Sequence, residues 1–280
     1  MSHRHKEALA HLLFGIKIGD GFVALTGEVG TGKTTLCRSL LEQLPENTDV
    51  ALIVNPKLDG HELLATICDE LQINYPPDNK SLKILVDLIN EYLLNSHSKG
   101  RQTVLIIDEA QNLSLDVLEM IRLLTNLETN ENKLLQIILV GQPELQLLLN
   151  RDDLRQLNQR ITARYHLLPL SENETGAYIR HRLSVSQGYP DLFSNAAIKK
   201  IHRYTHGVPR LINIICDRSL LGAYATDKNV VNSGIVKKAA LEVFSNVKPL
   251  DSFRFAWLLS AFIIVSIGLY GFYHLKNEKT

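Results

Sequence analysis

Five short apolar runs separated by helical stretches constrain the fold of this chain more than any other feature. Each run is continuously hydrophobic rather than alternating, which is typical of strands buried on both faces of a parallel sheet. The alternation predicts a doubly wound α/β fold, with a five-stranded parallel sheet and helices on both faces. The predicted strands are FVALT from 22, VALIV from 50, TVLIID from 103, LQIILVG from 135 and ARYHLL from 163; the predicted helices are 33–44, 60–71, 80–95, 114–128 and 144–158.

The pattern changes after Pro169, where strand signals stop and helical signals continue. Ser171 and Glu174 have the spacing of a capping box, which predicts a helix to about residue 187. Three more helices are predicted, one from Ser194, one after the break HGVPR and one near residue 234. The expected organisation is an α/β domain at 1–169, a small all-helical lid domain at 170–246 and a linker at 247–254.

A long apolar run follows the linker. Residues 255–275 contain no Asp, Glu, Lys or Arg. As a helix, at about 1.5 Å per residue, the run would measure about 31 Å, enough for a hydrocarbon core of about 30 Å. Trp257 and Tyr273 lie near its two ends, as aromatic residues do at membrane interfaces. The run predicts one transmembrane helix, followed by a short tail at 276–280; a helix buried in the lid domain is the alternative.

A glycine-rich motif follows the first predicted strand and fits the pattern G-x-x-x-x-G-K-[ST]. Glycines let successive backbone N–H groups turn toward phosphate oxygens, and the next helix directs its positive end at the same place. In this pattern Lys33 reaches the β- and γ-phosphates, and the Thr34 hydroxyl joins a Mg²⁺ shell. The motif predicts binding of ATP or ADP with Mg²⁺. Its candidate nucleotide-binding residues are Gly27, Glu28, Val29, Gly30, Thr31, Gly32, Lys33, Thr34 and Thr35.

Two carboxylates follow the third predicted strand, in the stretch TVLIIDEAQ. Ligands of open α/β sheets bind beyond the carboxyl ends of the strands, where these side chains would lie. Asp108 is predicted to hold Mg²⁺, and Glu109 to polarise the attacking water. A protein that only binds nucleotide needs the first carboxylate alone, so the pair favours hydrolysis.

Softer signals come from Gln142 and from several arginines. Gln142 ends the fourth strand and is predicted to contact the γ-phosphate or the water; a turn residue is the alternative. Arg155, Arg160 and Arg164 surround a predicted helix end, and Arg160 is the first candidate for a finger that reaches a neighbouring subunit's γ-phosphate. Arg210 lies at the positive end of a helix dipole, which favours a nearby anion, so it is a candidate nucleotide sensor. Surface salt bridges are the alternative for the arginines.

Together these features resemble an AAA+ ATPase, a P-loop NTPase class. Several stretches are similar to the cytoplasmic ATPase of the general secretion pathway protein A family, the ExeA type. The similar stretches cover most of residues 6–226 and include EALAHLLFGI, GFVALTGEVGTGKTTLCRSLLEQLP, LLATICDEL, LIIDEAQNLS, LNQRITARYHL and GVPRLINIICDRSLLGAYA.

The resemblance implies an ATP hydrolase that faces the cytoplasm and is anchored in the inner membrane by one helix. Members of this family act with a partner membrane protein in the assembly of a type II secretion complex, and AAA+ proteins work as homo-oligomers. Family members continue past the membrane helix into a periplasmic peptidoglycan-binding region, whereas five residues follow the apolar run here.

Two other classes of function are alternatives to this one. A DNA-transposition regulator shares the DEAQ type of strand, but a formal net charge of zero and the apolar run make a nucleic-acid partner the weaker reading. A nucleotide-bound scaffold with little turnover is the other alternative. His3, His5 and His11 are expected to lie on a polar helix face and to have no chemical role.

Overall fold

The structure is a computed structural model that describes residues 2–18, 22–54, 56–76, 81–128 and 133–244. Within these residues the chain forms eleven α-helices and five strands, together with short 3-10 helices at Ala110–Asn112 and Asp152–Leu154. In chain order the elements are α1 (His3–Ile18), β1 (Phe22–Gly27), α2 (Lys33–Leu41), β2 (Thr48–Ile53), α3 (Gly60–Glu70), α4 (Leu82–Ser98), β3 (Gln102–Ile107), α5 (Leu115–Leu124), β4 (Leu135–Gly141), α6 (Pro143–Leu149), α7 (Arg155–Gln159), β5 (Ala163–Leu167), α8 (Glu172–Val185), α9 (Asn195–Thr205), α10 (Pro209–Tyr224) and α11 (Ser233–Phe244).

The five strands are parallel and lie in one sheet with the order β2-β3-β4-β1-β5. The prediction of a five-stranded parallel sheet is confirmed. The inner strands β1, β3 and β4 are buried along nearly their whole length, as their continuous apolar sequences predicted. The same expectation was wrong for β2 and β5, because edge strands have a neighbour on one side only and are partly exposed.

Alternate side chains of the inner strands enter two separate hydrophobic layers, because successive residues of a strand point to opposite faces. Leu105, Ile107 and Leu139 pack into the larger layer, which α3, α4, α5, α6 and α7 complete. Val104 and Ile106 pack into a smaller layer with α1 and α2. Helices therefore cover both faces of the sheet, as predicted.

The prediction of one continuous helix over 144–158 is wrong. Helix α6 ends at Leu149, Arg151 is extended, and a 3-10 helix precedes α7. In an unbroken helix Leu149 and Leu154 would lie about 140° apart around the axis, since each residue turns about 100°. The break allows both leucines to enter the larger hydrophobic layer, where they are 1% and 3% exposed.

Helices α8–α11 surround a third hydrophobic cluster. The predicted capping box of Ser171 and Glu174 begins α8, and the side chain of Ser194 caps α9. The main-chain N–H of Leu170 donates to the carbonyl of Gly207 at 2.9 Å. Leu170 follows β5 and Gly207 precedes α10. The bond therefore holds the start of α10 close to the end of the sheet.

Helix α11 ends at Phe244, the last residue that the structure describes. Across the described ranges, none of the helices combines the length and the apolar character that a membrane crossing needs. The predicted transmembrane helix at 255–275, the whole linker before it and the tail after it lie outside the described residues.

Candidate functional site

The ends of three neighbouring strands bring the predicted site residues together. β1 lies beside β4, and β4 lies beside β3. The glycine-rich loop follows β1, Asp108 and Glu109 follow β3, and Gln142 follows β4. Because parallel strands all end at the same edge of a sheet, residues far apart in sequence meet there.

The loop of residues 28–32, called here the phosphate loop, turns sharply before Lys33 begins α2. Gly30 has φ of 81° and Gly32 has φ of 103°, in the left-handed region that favours glycine. The Lys33 ammonium donates to the carbonyls of Gly27 at 2.7 Å and Glu28 at 3.1 Å. The cation therefore lies within the curve of the loop, where the motif predicts a phosphate.

The charge of Lys33 is set by burial and by nearby carboxylates. The side chain is buried, and burial is the largest influence, lowering the pKa of Lys33. The charges of Glu109 and Asp108 oppose that effect by favouring the ammonium form. A buried cation with acidic neighbours on one side is well placed to attract an anion from the open side.

The remaining residues of the motif have varied surroundings. Glu28 and Val29 lie at the exposed tip of the loop, and Thr35 is exposed on the first turn of α2. Thr31 is fully buried, and its hydroxyl donates to the carbonyl of Glu28 at 2.8 Å. Of these four side chains, Thr31 is therefore the one that braces the phosphate loop from within.

A hydrogen bond connects the first turn of α2 to the end of β3. The Thr34 hydroxyl donates to Asp108 Oδ2 at 3.0 Å, and Asp108 Oδ1 accepts the Glu109 N–H at 2.9 Å. Asp108 is buried, whereas Thr34 is exposed at the start of α2. A hydroxyl and a carboxylate side by side are hard oxygen ligands of the kind that Mg²⁺ prefers, so these two residues fit the ion that the motif predicts.

Glu109 is held in place by two glutamine side chains. Its Oε2 accepts bonds from Gln111 Nε2 at 2.6 Å and Gln142 Nε2 at 3.0 Å. Gln111 Oε1 in turn accepts the main-chain N–H of Gln142 at 3.0 Å. The bond from Gln111 is the largest influence on the pKa of Glu109 and lowers it, while burial opposes the shift. The carboxylate is therefore ionised and fixed in orientation.

Gln111 was not predicted as a site residue, and Gln142 has a partner that was not predicted. The signal for Gln111 was its place two residues after Glu109 in the DEAQ stretch. Gln142 was predicted to contact the γ-phosphate or the water, and in this structure it contacts Glu109. Glu109 itself adopts a left-handed backbone with φ of 53°, which begins the 3-10 helix that carries Gln111.

Helix α10 begins against the phosphate loop. The main-chain N–H of Arg210 donates to the carbonyl of Gly30 at 3.2 Å. A β-carbon on Gly30 would lie 2.6 Å from Arg210 Cβ, so the approach is close. The first turn of a helix has N–H groups without intrahelical partners, and the loop carbonyl satisfies one of them. Arg210, the predicted sensor, thus lies beside the loop with its side chain exposed.

The three arginines near the end of α7 lie elsewhere. Arg160 Nη1 donates to the hydroxyl of Thr125 at the end of α5, and the side chain is half-buried. Arg164 is exposed and donates to Asn158. Arg155 is exposed at the start of α7. The structure therefore does not bring these residues to the phosphate loop of their own chain.

The expectation of a polar helix face was wrong for His5. The side chain is 9% exposed, because α1 packs against the sheet and α2 and brings His5 beside the phosphate loop. His5 Nε2 lies 3.0 Å from the carbonyl of Thr31, and Nδ1 lies 2.8 Å from Ser2 Oγ. Burial is the largest influence on the pKa of His5 and lowers it, so the ring is neutral near neutral pH. His11 is exposed, as expected.

The fold and the loop have counterparts in known proteins. Residues 17–149 match the AAA domain family. Cdc6p of Pyrobaculum aerophilum has a similar structure, with a TM-score of 0.68 and 21% identity, over 86% of this chain and 67% of that one. The Holliday junction branch migration motor RuvB of Thermotoga maritima has a TM-score of 0.58 and 21% identity, over 90% of this chain and 73% of its own. Both similarities concern the fold alone.

The predicted resemblance to general secretion pathway protein A is confirmed. The protein of that name from Aeromonas hydrophila is 50% identical to this chain over 273 residues, which are 97% of this chain. This chain is thus similar to a protein of the ExeA type over nearly its whole length. It spans 50% of the length of that relative.

Proposed function

We propose that the protein hydrolyses ATP with Mg²⁺. The observation that carries the proposal is the bond between Thr34 and Asp108, which joins the loop after β1 to the carboxylates after β3. A phosphate bound by the loop would therefore have an acidic strand end beside it. The AAA domain and the P-loop fold support ATPase activity at the level of the family.

Each residue of the motif has a proposed part in binding. Backbone N–H groups of residues 27–35 surround the phosphates, and Lys33 neutralises their charge. The Thr34 hydroxyl and the Asp108 carboxylate would hold Mg²⁺, which supplies positive charge to the phosphate oxygens when bound. Arg210, at the edge of the loop, would respond to the γ-phosphate.

Glu109 is the proposed base of the reaction. An ionised carboxylate accepts a hydrogen bond from water and polarises it for attack on the γ-phosphate. Gln111 and Gln142 hold the carboxylate through their amide N–H groups, at 2.6 Å and 3.0 Å. A scaffold that only binds nucleotide would not need a carboxylate held in this way, so the arrangement favours turnover.

The activity is tested on the full chain, purified from membranes in detergent. Phosphate release from ATP is measured with Mg²⁺ and with excess chelator. Thr34→Val keeps the shape of the side chain and removes the hydroxyl. We therefore expect turnover to fall at least tenfold and the Mg²⁺ concentration needed for half-maximal turnover to rise. Thr226→Val, at an exposed threonine just after α10, is the matched control. Turnover that is indifferent to both Mg²⁺ and Thr34→Val would contradict the proposal.

We also propose a division into domains and a shared active site. The nucleotide-binding domain is 1–169 and the helical lid is 170–246, since α8–α11 surround a separate hydrophobic cluster. Arg160 would act on the nucleotide of a neighbouring subunit in a homo-oligomer. Mixing Arg160→Ala subunits with Glu109→Gln subunits should then restore part of the activity, because one kind of mixed interface has an intact Glu109 and an intact Arg160. No recovery in subunits that demonstrably co-assemble would contradict this role.

Membrane anchoring and a part in type II secretion complete the proposal. The relative's name, general secretion pathway protein A, supports the pathway, and the apolar sequence at 255–275 supports one span. ATP is cytoplasmic, so the ATPase would face the cytoplasm and the tail at 276–280 the other side. The helix would concentrate the ATPase at the inner membrane and contact a membrane partner.

Alkaline carbonate washing tests the anchor. The full chain should stay in the membrane pellet, whereas Ile264→Arg with Val265→Arg should release it, because charges at the bilayer centre are costly. Lys276→Ala, beyond the apolar run, is the control and should stay in the pellet. Release of the unchanged protein by the wash would exclude an integral span.

A further inference from the structure

Helix α1 holds one peptide unit of the phosphate loop from behind. His5 Nε2 lies 3.0 Å from the Thr31 carbonyl, which accepts hydrogen bonds and cannot donate them. The histidine therefore carries a proton on Nε2 and donates it to Thr31. Its Nδ1 then accepts from the hydroxyl of Ser2 at 2.8 Å. Both nitrogens of the buried ring are satisfied, so its orientation is fixed.

The bond to Thr31 also fixes the direction of the next N–H. The Thr31–Gly32 peptide is trans, and the C=O and N–H of a trans peptide unit point in opposite directions. With the Thr31 carbonyl turned toward α1, the Gly32 N–H points away from α1. N–H groups that point inward are what a phosphate loop uses to bind oxygen anions.

The residue type at position 32 agrees with this arrangement. A β-carbon on Gly32 would lie 2.9 Å from His5 Nε2. The imidazole therefore occupies the space that a side chain at this position would need. The glycine serves both the left-handed backbone, with φ of 103°, and the close contact with His5.

We propose that His5 is a positioning residue for the phosphate loop, which turns the Gly32 N–H toward the phosphates of the nucleotide. It acts through the backbone and does not touch the nucleotide itself. The inference rests on the proposed nucleotide site. Without the bond, the peptide unit could rotate, and binding would include the cost of restoring it.

The test measures binding of a fluorescent ADP analogue to the full chain in detergent. His5→Leu removes the donor, and we expect Kd to rise about tenfold, the loss of one buried hydrogen bond. His5→Gln places an amide N–H near the position of Nε2, and should recover most of the affinity. His11→Leu, which removes an exposed histidine from the same helix, should leave Kd unchanged.

Stability is followed alongside by the melting temperature of each variant. If His5→Leu does not fold, Ser2→Ala carries the test: it keeps the imidazole, frees its orientation and should raise Kd about threefold, a loss of about 0.7 kcal/mol. Equal Kd for the unchanged protein and the folded His5 or Ser2 variants would overturn the inference. Equal weakening in His5→Leu and His5→Gln would overturn it too, since packing would then be the cause. An unchanged protein that fails to bind ADP would instead overturn the proposed function.

Discussion

The phosphate loop has two sides that are built differently. The inner side consists of Lys33, Thr34, Asp108 and Glu109, whose charged or polar side chains converge beyond the ends of β1 and β3. The outer side consists of His5 and Arg210, which reach the loop from α1 and α10 and bind two of its backbone carbonyls. The inner side offers groups to a ligand, and the outer side offers them to the loop.

Because of this difference, substitutions on the two sides should have different effects on binding and turnover. A charge removed from the inner side has no substitute, because charge-assisted bonds are the strong ones in such a site. The bonds of the outer side are neutral and are replaced in part by water when they are lost. We therefore expect the loss of an inner-side charge to weaken binding or turnover more than the loss of an outer-side bond does.

The largest expected effect separates turnover from binding on the inner side. Glu109→Gln removes the charge that polarises water and keeps the shape of the side chain. We expect kcat to fall about 1,000-fold, within the range for a positioned base, with nucleotide Kd within about twofold. Rapid-quench assays and nucleotide titration measure the two quantities, and Glu91→Gln, an exposed change on α4, is the control. A Glu109→Gln variant that turns over ATP at the rate of the unchanged protein would show that Glu109 is not the base.

The next largest effect is expected for Lys33→Ala. It removes the buried ammonium that lies within the curve of the loop, and we expect Kd for ADP to rise about 100-fold, the worth of about 3 kcal/mol of charge-assisted bonding. Isothermal titration measures it, with Lys99→Ala at the end of α4 as the control. An affinity within threefold of the unchanged protein would mean that the backbone alone binds the phosphates.

Arg210→Ala tests whether the outer side also contributes a charge. The main-chain N–H that binds Gly30 remains in this variant, so the loop keeps its shape and only the guanidinium is lost. We expect Kd for ATP to rise about tenfold and Kd for ADP to rise less, because the γ-phosphate is the proposed partner. Arg218→Ala, two turns later on α10, is the matched control. Equal losses for ATP and ADP would contradict a role in sensing the γ-phosphate.

The smallest effect at neutral pH is expected for Gln111→Ala. The bond from Gln111 is the largest influence that lowers the pKa of Glu109, so its loss should raise that pKa. Because the ionised form is the active one, turnover should then be lost at a higher pH as the solution is acidified. Gln142→Ala should shift the acid limb in the same direction by less, since its bond influences the pKa less. An acid limb that does not move would show that Gln111 does not act through Glu109.

Much of the fold could be predicted because its signals are local. Continuous apolar runs predicted all five strands, and Ser171 with Glu174, three positions apart, predicted the start of α8 through a capping box. The break between α6 and α7 could not be predicted, because it depends on which side of a helix meets the larger hydrophobic layer. The partial exposure of β2 and β5 depends on strand order, which the apolar runs do not specify.

The same distinction holds within the site. By itself the sequence determined the phosphate loop and the two carboxylates after β3, because in each case a few consecutive residues and their glycines define the local geometry. The tertiary structure decided which residues support them: His5 meets Thr31 across 26 positions, and Gln142 meets Glu109 across 33. Those pairs form only because α1 packs beside β1 and because β4 lies between β1 and β3. No local pattern encodes such an order, since it follows from packing the whole chain around one sheet.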